Sequence, residues 1–258
     1  MNYMTVGLKR KVSLALLPID DLTNRIITGS LLRVYIVEEN KPSIRKPDGY
    51  HVFCDLKETE VTLCLEGPIY QKQTLRLSIK PDKVKVYQIR MLPGIAYPLP
   101  KGITILKGTL PKDSRLRVFV SGKKKEYRLL GDYDPVKQKD ALTLFLHHKI
   151  SLIGKVLCIS GKEKEPEFFR VTDQKDQVCM LEKPLSKAYA RTDALIYPAY
   201  ETVSDQDGNF FLPMNSHQEE ENCTCILMKE DRIEKTWQLV LKSGEENRIT
   251  EDMWKGDD

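Results

Sequence analysis

Apolar side chains recur at every second position in many short stretches of this sequence. In residues 61–65, for example, Val61, Leu63 and Leu65 fall on one face of an extended chain. This alternation is typical of a β-strand with one face on a core and the other in water, and it does not fit the 3.6-residue period of a helix. The same pattern recurs in residues 74–79, 115–120 and 236–241. The chain is therefore predicted to form half-buried antiparallel strands.

Between these stretches lie residues that reverse the chain direction, mainly Gly, Pro and Asp. Helical periodicity is confined to two short pieces, residues 186–191 and 249–254. We therefore predict an all-β fold. The turn signals are Pro47-Asp48-Gly49, Glu66-Gly67-Pro68, Leu92-Pro93-Gly94, Ser121-Gly122 and Asp207-Gly208-Asn209.

Residues 46–56, KPDGYHVFCDL, show how a turn leads into a strand. Gly49 can take a positive φ, so Asp48-Gly49 allows a tight reversal. The bulky side chains that follow are typical of a strand that faces a core. We interpret this stretch as a structural element and not as an active site.

The composition excludes several classes of function. The 258 residues suit one or two domains, and 41 Lys and Arg against 37 Asp and Glu leave a net charge of +4. Because this charge is near balance, nucleic acid is not the expected partner. No apolar run approaches the roughly 18 residues that span a bilayer. Residues 12–17 are apolar, but Pro18 and two Asp follow at once, which favours a first strand over a signal peptide.

The cysteines indicate reduced thiols. Six in a chain of this length are far from the density of a disulfide scaffold, so we expect a cytoplasmic protein, with incorporation into a released particle as an option. They are Cys54, Cys64, Cys158, Cys179, Cys223 and Cys225.

Residues from about 12 to 80 resemble the carboxypeptidase-regulatory-like domain, a small transthyretin-like β-sandwich. The resemblance is carried by Ile27-Thr-Gly-Ser30, Val34-Tyr-Ile36, residues 47–56, residues 61–65 and Gly67-Pro-Ile-Tyr70. It implies a β-sandwich for residues 9–92. It implies no particular function, because such domains accompany enzymes, receptors and surface proteins alike.

A second stretch, residues 202–212, is similar to the D-x-x-G-x-F element of the same family. With opening strands at 105–110 and 116–120, it predicts a second β domain over 101–250. Residues 141–200 then form an insertion of four short strands, either a small barrel or an extra sheet. Residues 181–195 within it resemble small β-modules of phage-tail and contractile-injection structural proteins.

The sequence offers few groups suited to catalysis or metal binding. His147-His148 are adjacent on a predicted strand and would point to opposite faces, and Cys223-Thr-Cys225 has no second cysteine pair to complete a zinc site. A G-x-S-x-G motif and a Gly-rich phosphate loop are missing from the sequence. We therefore predict a non-catalytic protein without cofactor or metal.

Residues 205–209, DQDGN, contain part of the sequence pattern of a calcium-binding loop. The next positions hold Phe210-Phe211-Leu212-Pro213 and not the late acidic ligand such a loop needs. We interpret the stretch as a hairpin turn, so that added calcium should leave the melting temperature unchanged.

Two groups of residues are candidate binding surfaces. One is the basic cluster Lys123, Lys124 and Lys125, for which a solvated hairpin tip is the alternative. The other is aromatic and includes Tyr197, Tyr200 and Trp237, because exposed aromatic rings are frequent in protein and sugar recognition.

We expect a structural or interaction protein that binds protein partners through sheet edges and loops. The expected setting is an accessory subunit of a larger assembly, such as a phage-tail-like or contractile-injection particle. The alternative is a carbohydrate-recognising module, in which Tyr50, Tyr197, Tyr200, Trp237 or Trp254 would stack on sugar rings.

Overall fold

The computed structural model describes residues 10–79, 84–120, 127–146, 151–162, 164–215, 219–230 and 232–255. The chain divides into two compact units, which we call the N-terminal unit (Met1–Pro98) and the C-terminal unit (Leu99–Asp258).

The N-terminal unit is built from eight strands in two four-stranded sheets. One sheet has the order β4-β5-β1-β8 and the other β3-β2-β6-β7. The strands are β1 (Val12–Asp20), β2 (Arg33–Ile36), β3 (Lys41–Pro42), β4 (Ile44–Arg45), β5 (His51–Cys54), β6 (Glu60–Gly67), β7 (Tyr70–Ser78) and β8 (Val86–Met91).

These two sheets form a β-sandwich around one hydrophobic core. Leu14 and Leu16 of β1 and Phe53 of β5 join Leu63 and Leu65 of β6 in a single buried cluster. The alternating stretch at 61–65 therefore faces the core as predicted. Burying one such side chain fully stabilises the fold by about 1.5–3 kcal/mol.

The C-terminal unit contains twelve strands and two short helices among its described residues. They are β9 (Thr104–Thr109), β10 (Arg115–Val120), β11 (Tyr127–Leu129), α1 (Pro135–Gln138), β12 (Ala141–Leu146), β13 (Val156–Gly161), β14 (Lys164–Lys175), β15 (Val178–Leu181), β16 (Leu195–Val203), β17 (Asn209–Met214), β18 (Glu220–Lys229), β19 (Arg232–Lys242), β20 (Glu246–Ile249) and α2 (Glu251–Trp254).

A nine-stranded sheet runs through the C-terminal unit in the order β11-β12-β15-β14-β13-β16-β10-β18-β19. Its first six strands close on themselves, because β11 also pairs with β16 through Tyr127 and Ile196. This closure makes a six-stranded barrel whose interior is filled by a cluster that includes Leu142, Leu144 and Phe169. The remaining strands, β10, β18 and β19, pack with the three-stranded sheet β17-β9-β20 around a second core that includes Leu116, Val118 and Leu212.

The sandwiches of the two units share one strand topology. In each, the first strand pairs in parallel with the last (β1 with β8, β9 with β20) and antiparallel with a middle strand (β5 or β17). In each, the second sheet contains the order β2-β6-β7 or its counterpart β10-β18-β19. The barrel occupies the chain between β10 and β17, where the N-terminal unit has only β3 and β4. The C-terminal unit is therefore a second copy of the sandwich topology with a barrel inserted in one connection.

The turn before the middle strand is also shared. In both sandwiches an Asp-Gly pair precedes β5 or β17, and the glycine has a positive φ (+90° at Gly49, +82° at Gly208). The hydrogen bonds correspond one to one: Lys46 N donates to Tyr50 O and Gly49 N to Lys46 O, as Asp205 N donates to Asn209 O and Gly208 N to Asp205 O.

The predicted fold class, tandem antiparallel sandwiches with an inserted small β-barrel or extra sheet, is confirmed, and the insertion is a barrel. Two strand pairs, β1 with β8 and β9 with β20, are parallel and not antiparallel as expected. The barrel has six strands where four short ones were expected. Five of them, β12 to β16, begin within the expected insertion at 141–200, and β11 lies before it at Tyr127–Leu129. A strand of three residues is too short to show alternation in the sequence. Within the described residues, no helix has the length and apolar character needed to cross a membrane.

Candidate partner-binding edge

Strand β19 forms one end of the nine-stranded sheet. It is 11 residues long and pairs antiparallel with β18 along its whole length. In the part of the chain that the structure describes, no further strand pairs with its other side. An edge of this kind presents a row of backbone N–H and C=O groups to which another extended chain can bind.

The side chains of β19 divide between two faces. Trp237, Leu239 and Leu241 pack against the core of the C-terminal sandwich. On the other face Thr236 and Val240 are exposed, Val240 at 52%. The inward row was predicted from the alternation at 236–241, and the structure confirms it for Leu241, which is 1% exposed.

Charge is excluded from the middle of this edge. Residues 236–241, TWQLVL, carry no ionisable group, and Lys235 and Lys242 lie directly before and after them. A β-bulge interrupts the pairing with β18 where Leu227 faces Lys235 and Met228 faces Ile233, so that Glu234 is the extra residue. At Lys242 the backbone N–H donates to Asn247 Oδ1 (2.8 Å) and the carbonyl accepts from Asn247 Nδ2 (2.9 Å), so the edge is covered there. The open part of the edge is the uncharged six-residue stretch between the two cations.

The corresponding strand of the N-terminal unit, β7, is also the last in its sheet, but other groups of that unit bind along it. Residues 90–93 accept three hydrogen bonds from Gln71 and Gln73, and the Tyr87 hydroxyl donates to the Ser78 carbonyl (3.0 Å). Exposed cations at Lys72 and Arg76 interrupt the strand. Strand β7 is thus partly covered and charged, as protected edges commonly are.

The predicted binding tyrosines lie on opposite faces of β16. The Tyr197 ring packs against Phe119, with centroids 5.6 Å apart, in a small cluster outside the barrel. Tyr200 packs against the core of the C-terminal sandwich, and its hydroxyl donates to the Asn215 carbonyl (3.1 Å). Because the two residues are three positions apart on a strand, the structure does not bring them together.

The tryptophans are also packed. Trp237 and Trp254 both contact the core of the C-terminal sandwich. The Trp254 indole donates to the Thr109 carbonyl (2.8 Å), while the buried indole nitrogen of Trp237 has no partner among the described residues. Tyr50, like these rings, is half-buried. All the rings named for sugar stacking are therefore half-buried, and none is fully exposed.

Several predicted groups lie outside the described residues. These are Lys123, Lys124 and Lys125 of the basic cluster, together with His147 and His148. Among the residues that are described, no group of three or more His, Cys, Asp or Glu could hold a metal ion. All six cysteines are free thiols, and Cys223 and Cys225 are both buried.

The 205–209 stretch forms a turn closed by its own backbone groups. One Asp205 carboxylate oxygen accepts hydrogen bonds from the backbone N–H of Asp207 (2.9 Å) and of Asn209 (2.8 Å). This is the hydrogen bonding of an Asx-type turn.

An ion-pair cluster on the outer face of the sheet was missed by the sequence reasoning. The Glu201 carboxylate of β16 binds Arg117 of β10 and Arg170 of β14, each at 2.8 Å, and Arg115 lies at 3.9 Å. Burial alone would raise the pKa of Glu201, but the three guanidinium groups outweigh it and hold the pKa below its ordinary value. The Arg117 guanidinium also lies over the Phe168 ring, 5.2 Å from its centroid. This cluster fixes the junction of the barrel strands with the sandwich strands.

In the N-terminal unit, Asp20 and His51 are buried polar side chains. Asp20 accepts hydrogen bonds from the hydroxyls of Tyr70 (2.9 Å) and Tyr97 (2.6 Å). His51 Nδ1 lies 2.8 Å from the Ser43 hydroxyl, and burial, with a smaller effect from Arg45, lowers its pKa. The side chains of Asp20 and His51 thus bind other parts of the N-terminal unit.

Comparisons with known proteins identify no family for this chain. No family model and no curated protein sequence matches this chain. Among solved structures, a proposed carbohydrate-binding protein from Bacteroides uniformis is 10% identical over 89% of this chain and 98% of its own, with a TM-score of 0.28. The shaft pilin SpaA from Lactobacillus rhamnosus GG is 11% identical over 93% of this chain and 96% of its own, with a TM-score of 0.23. Likeness at this level does not bear on function.

Proposed function

We propose that this protein is a non-catalytic interaction protein that joins a larger protein assembly by adding a partner's strand to the β19 edge. The observation that carries the proposal is the open edge itself, with six uncharged residues in a strand of 11. Strand addition gains affinity from backbone hydrogen bonds and specificity from the side chains beside them.

Two further features support a role without chemistry. Asp20 is buried and Glu201 is largely enclosed, as carboxylates of active sites often are, yet each is held by cations or hydroxyls of the fold itself. The thiols of Cys158 and Cys179 are buried among apolar side chains, and burial raises both pKa values, that of Cys179 to about 11. A thiol with a raised pKa is a poor nucleophile at neutral pH.

The finer assignment is an accessory subunit of a phage-tail-like or contractile-injection particle. It rests on the resemblance of residues 181–195 to small β-modules of such particles. The carboxypeptidase-regulatory-like resemblance of the N-terminal unit is likewise part of the proposal, and it fits a module appended to a larger assembly.

The test compares one substitution at two equivalent edges. Thr236 on β19 and Thr74 on β7 are both exposed, and each lies on the terminal strand of its sheet. Thr236→Lys places a charge in the uncharged stretch, and a charge on an edge opposes strand addition. In size-exclusion chromatography of extracts from the native source, the wild-type chain should elute in an assembly. Thr236→Lys should shift it to the size of one chain, and Thr74→Lys should not.

The wild-type chain eluting as a free monomer would contradict the proposal. So would an assembly that survives Thr236→Lys together with a second variant, Val240→Lys, whose side chain is exposed on the same face.

A further inference from the structure

The charges that flank the open edge limit which strands can bind there. Strand β19 carries Arg232, Lys235 and Lys242 against the single carboxylate of Glu234, which leaves a net charge of +2. Lys235 and Lys242 border the uncharged stretch at its two ends. Neither forms an ion pair within 4 Å among the described residues, although Glu220 of β18 lies across from Lys242 in the strand register. A bound strand would therefore meet a positive charge at each end of its contact.

A second copy of this chain is a poor occupant. Paired antiparallel, two β19 strands would bring together two strands of net charge +2, although Lys235 and Lys242, seven positions apart, project from opposite faces. If they paired in parallel, each lysine would lie beside its own counterpart. Like charges across a strand pair are destabilising, and lysines at an edge are a common means of preventing self-association.

The middle of the edge favours a strand of low charge. On one face a bound strand would continue the row of Thr236 and Val240, and on the other it would lie beside Trp237 and Leu239. Uncharged β-branched side chains suit both rows, because they pack well against cross-strand neighbours. Carboxylates beyond this middle part would reach Lys235 at one end and Lys242 at the other.

We propose that β19 selects an extended segment of another protein that is uncharged over about six residues and carries Asp or Glu at both flanks. This inference rests on the strand-addition function proposed above, and it adds the chemical class of the partner. The backbone hydrogen bonds supply affinity, whereas the flanking ion pairs supply selectivity.

The test uses fluorescein-labelled synthetic peptides and the full chain. One peptide has three Thr-Val repeats between pairs of Glu, the second has the same centre between pairs of Lys, and the third is the Glu peptide with a central Val replaced by Pro. Fluorescence anisotropy should show the Glu peptide binding about tenfold more tightly than the Lys peptide at low salt. The difference should shrink at high salt, and the Pro peptide should lose binding, since proline cannot donate a ladder hydrogen bond.

Substitutions in the chain locate the effect. Lys235→Glu with Lys242→Glu should reverse the preference towards the Lys peptide, and Lys235→Gln with Lys242→Gln should remove it. Matched controls are Lys175→Glu and Lys183→Glu, which change exposed lysines in the barrel region of the C-terminal unit and should leave the preference unchanged. Thermal melts of every variant check the fold, and the glutamine pair provides a second variant if charge reversal impairs it.

Equal binding of the Glu and Lys peptides would overturn the inference. So would β19-dependent dimerisation of the purified wild-type chain, which would make a second copy the occupant. If the charge preference is missing but Thr236→Lys still releases the chain from its assembly, the proposed function stands and only the partner's class is wrong. If Thr236→Lys has no effect on the assembly either, both proposals fail.

Discussion

In the N-terminal sandwich the second and middle strands are joined by residues 37–50, which form β3, β4 and a turn. In the C-terminal sandwich the same connection is residues 121–208, and it includes the whole barrel. The strands around this connection keep the same pairing partners in both units. The topology of this sandwich therefore tolerates a large insertion between those two strands, because the core is formed by strands on either side of it.

The two sandwiches differ more in their edges and outer faces than in their cores. Strand β7 is bound by side chains and backbone of its own unit, whereas the middle of β19 is open and uncharged. On the outer face, Glu66 of the N-terminal unit makes an exposed pair with Arg33, while Glu201 is enclosed by three arginines. The C-terminal unit therefore carries both the inserted module and the accessible edge.

The largest effect is expected at the shared Asp-Gly turn. A Cβ atom at Gly208 would lie 2.5 Å from the Leu110 carbonyl oxygen, which is backbone and cannot move aside. At Gly49 the closest atom is a methyl carbon of Ile26, also at 2.5 Å, and a side chain can rotate away. Since both glycines have a positive φ, valine should destabilise either unit, by about 4 kcal/mol at Gly208 and about 2–3 kcal/mol at Gly49.

Urea denaturation measures this difference. Both tryptophans, Trp237 and Trp254, lie in the C-terminal unit, so their fluorescence follows that unit alone, and circular dichroism follows both. A larger loss for Gly49→Val than for Gly208→Val would contradict the steric explanation, which predicts the opposite order.

The next effect is expected at the outer-face carboxylates. Glu201 is 14% exposed, and Glu201→Gln leaves its arginines without the charge that holds them, which should cost about 3 kcal/mol. The matched substitution Glu66→Gln removes the charge that pairs with Arg33 and Lys72. Because all three side chains are at least 31% exposed, it should cost less than about 1 kcal/mol.

The pH dependence separates this effect from a loss of packing. Because the folded pKa of Glu201 is lowered, its stabilisation is fully present above the unfolded pKa of about 4.3 and is lost as the pH falls through the folded pKa. Tryptophan-monitored unfolding of Glu201→Gln should accordingly lose less stability in acid than the wild type. Equal losses in the two proteins would exclude Glu201 as the source.

The local parts of the fold could be predicted from the sequence, and the non-local parts could not. Alternation at 115–120 correctly placed Leu116, Val118 and Val120 in the core, because that property depends only on successive side chains. It also put Arg115 and Arg117 on the opposite face. The enclosure of Arg117 by Glu201 depends on β10 pairing with β16, which lies 84 residues further along, and no local pattern carries that pairing.

The candidate site shows the same division. The strand at 236–241 and its inward-facing side chains could be predicted from the sequence. The position of this strand at the end of the sheet depends on the order of all nine strands. The aromatic surface joined Tyr197 and Tyr200 because they are close in sequence. The alternation rule already places residues three apart on opposite faces of a strand, and applying it to β16 would have separated them. The basic cluster at Lys123, Lys124 and Lys125 stays a prediction.

The smallest effect is expected at the second residue after the glycine of the shared turn. This residue is a titratable histidine in the N-terminal unit and a phenylalanine in the C-terminal unit. His51 of β5 corresponds to Phe210 of β17, and both are buried. Burial lowers the pKa of His51 in the folded state, so the unfolded chain binds more protons in mild acid. The stability of the N-terminal unit should therefore be complete above the unfolded pKa of about 6.5 and fall as the pH drops below it.

His51→Phe copies the C-terminal residue into the N-terminal unit and should remove this mild-acid loss. The measurement is the urea midpoint of the N-terminal unit between neutral and mildly acidic pH, followed by circular dichroism alongside tryptophan fluorescence. The effect should be smaller than that of Glu201→Gln. His51 is a neutral side chain with one hydroxyl partner, whereas Glu201 is a carboxylate held by three cations. A pH dependence unchanged by His51→Phe would assign the acid sensitivity to other groups, and a loss confined to the tryptophan signal would place it in the C-terminal unit.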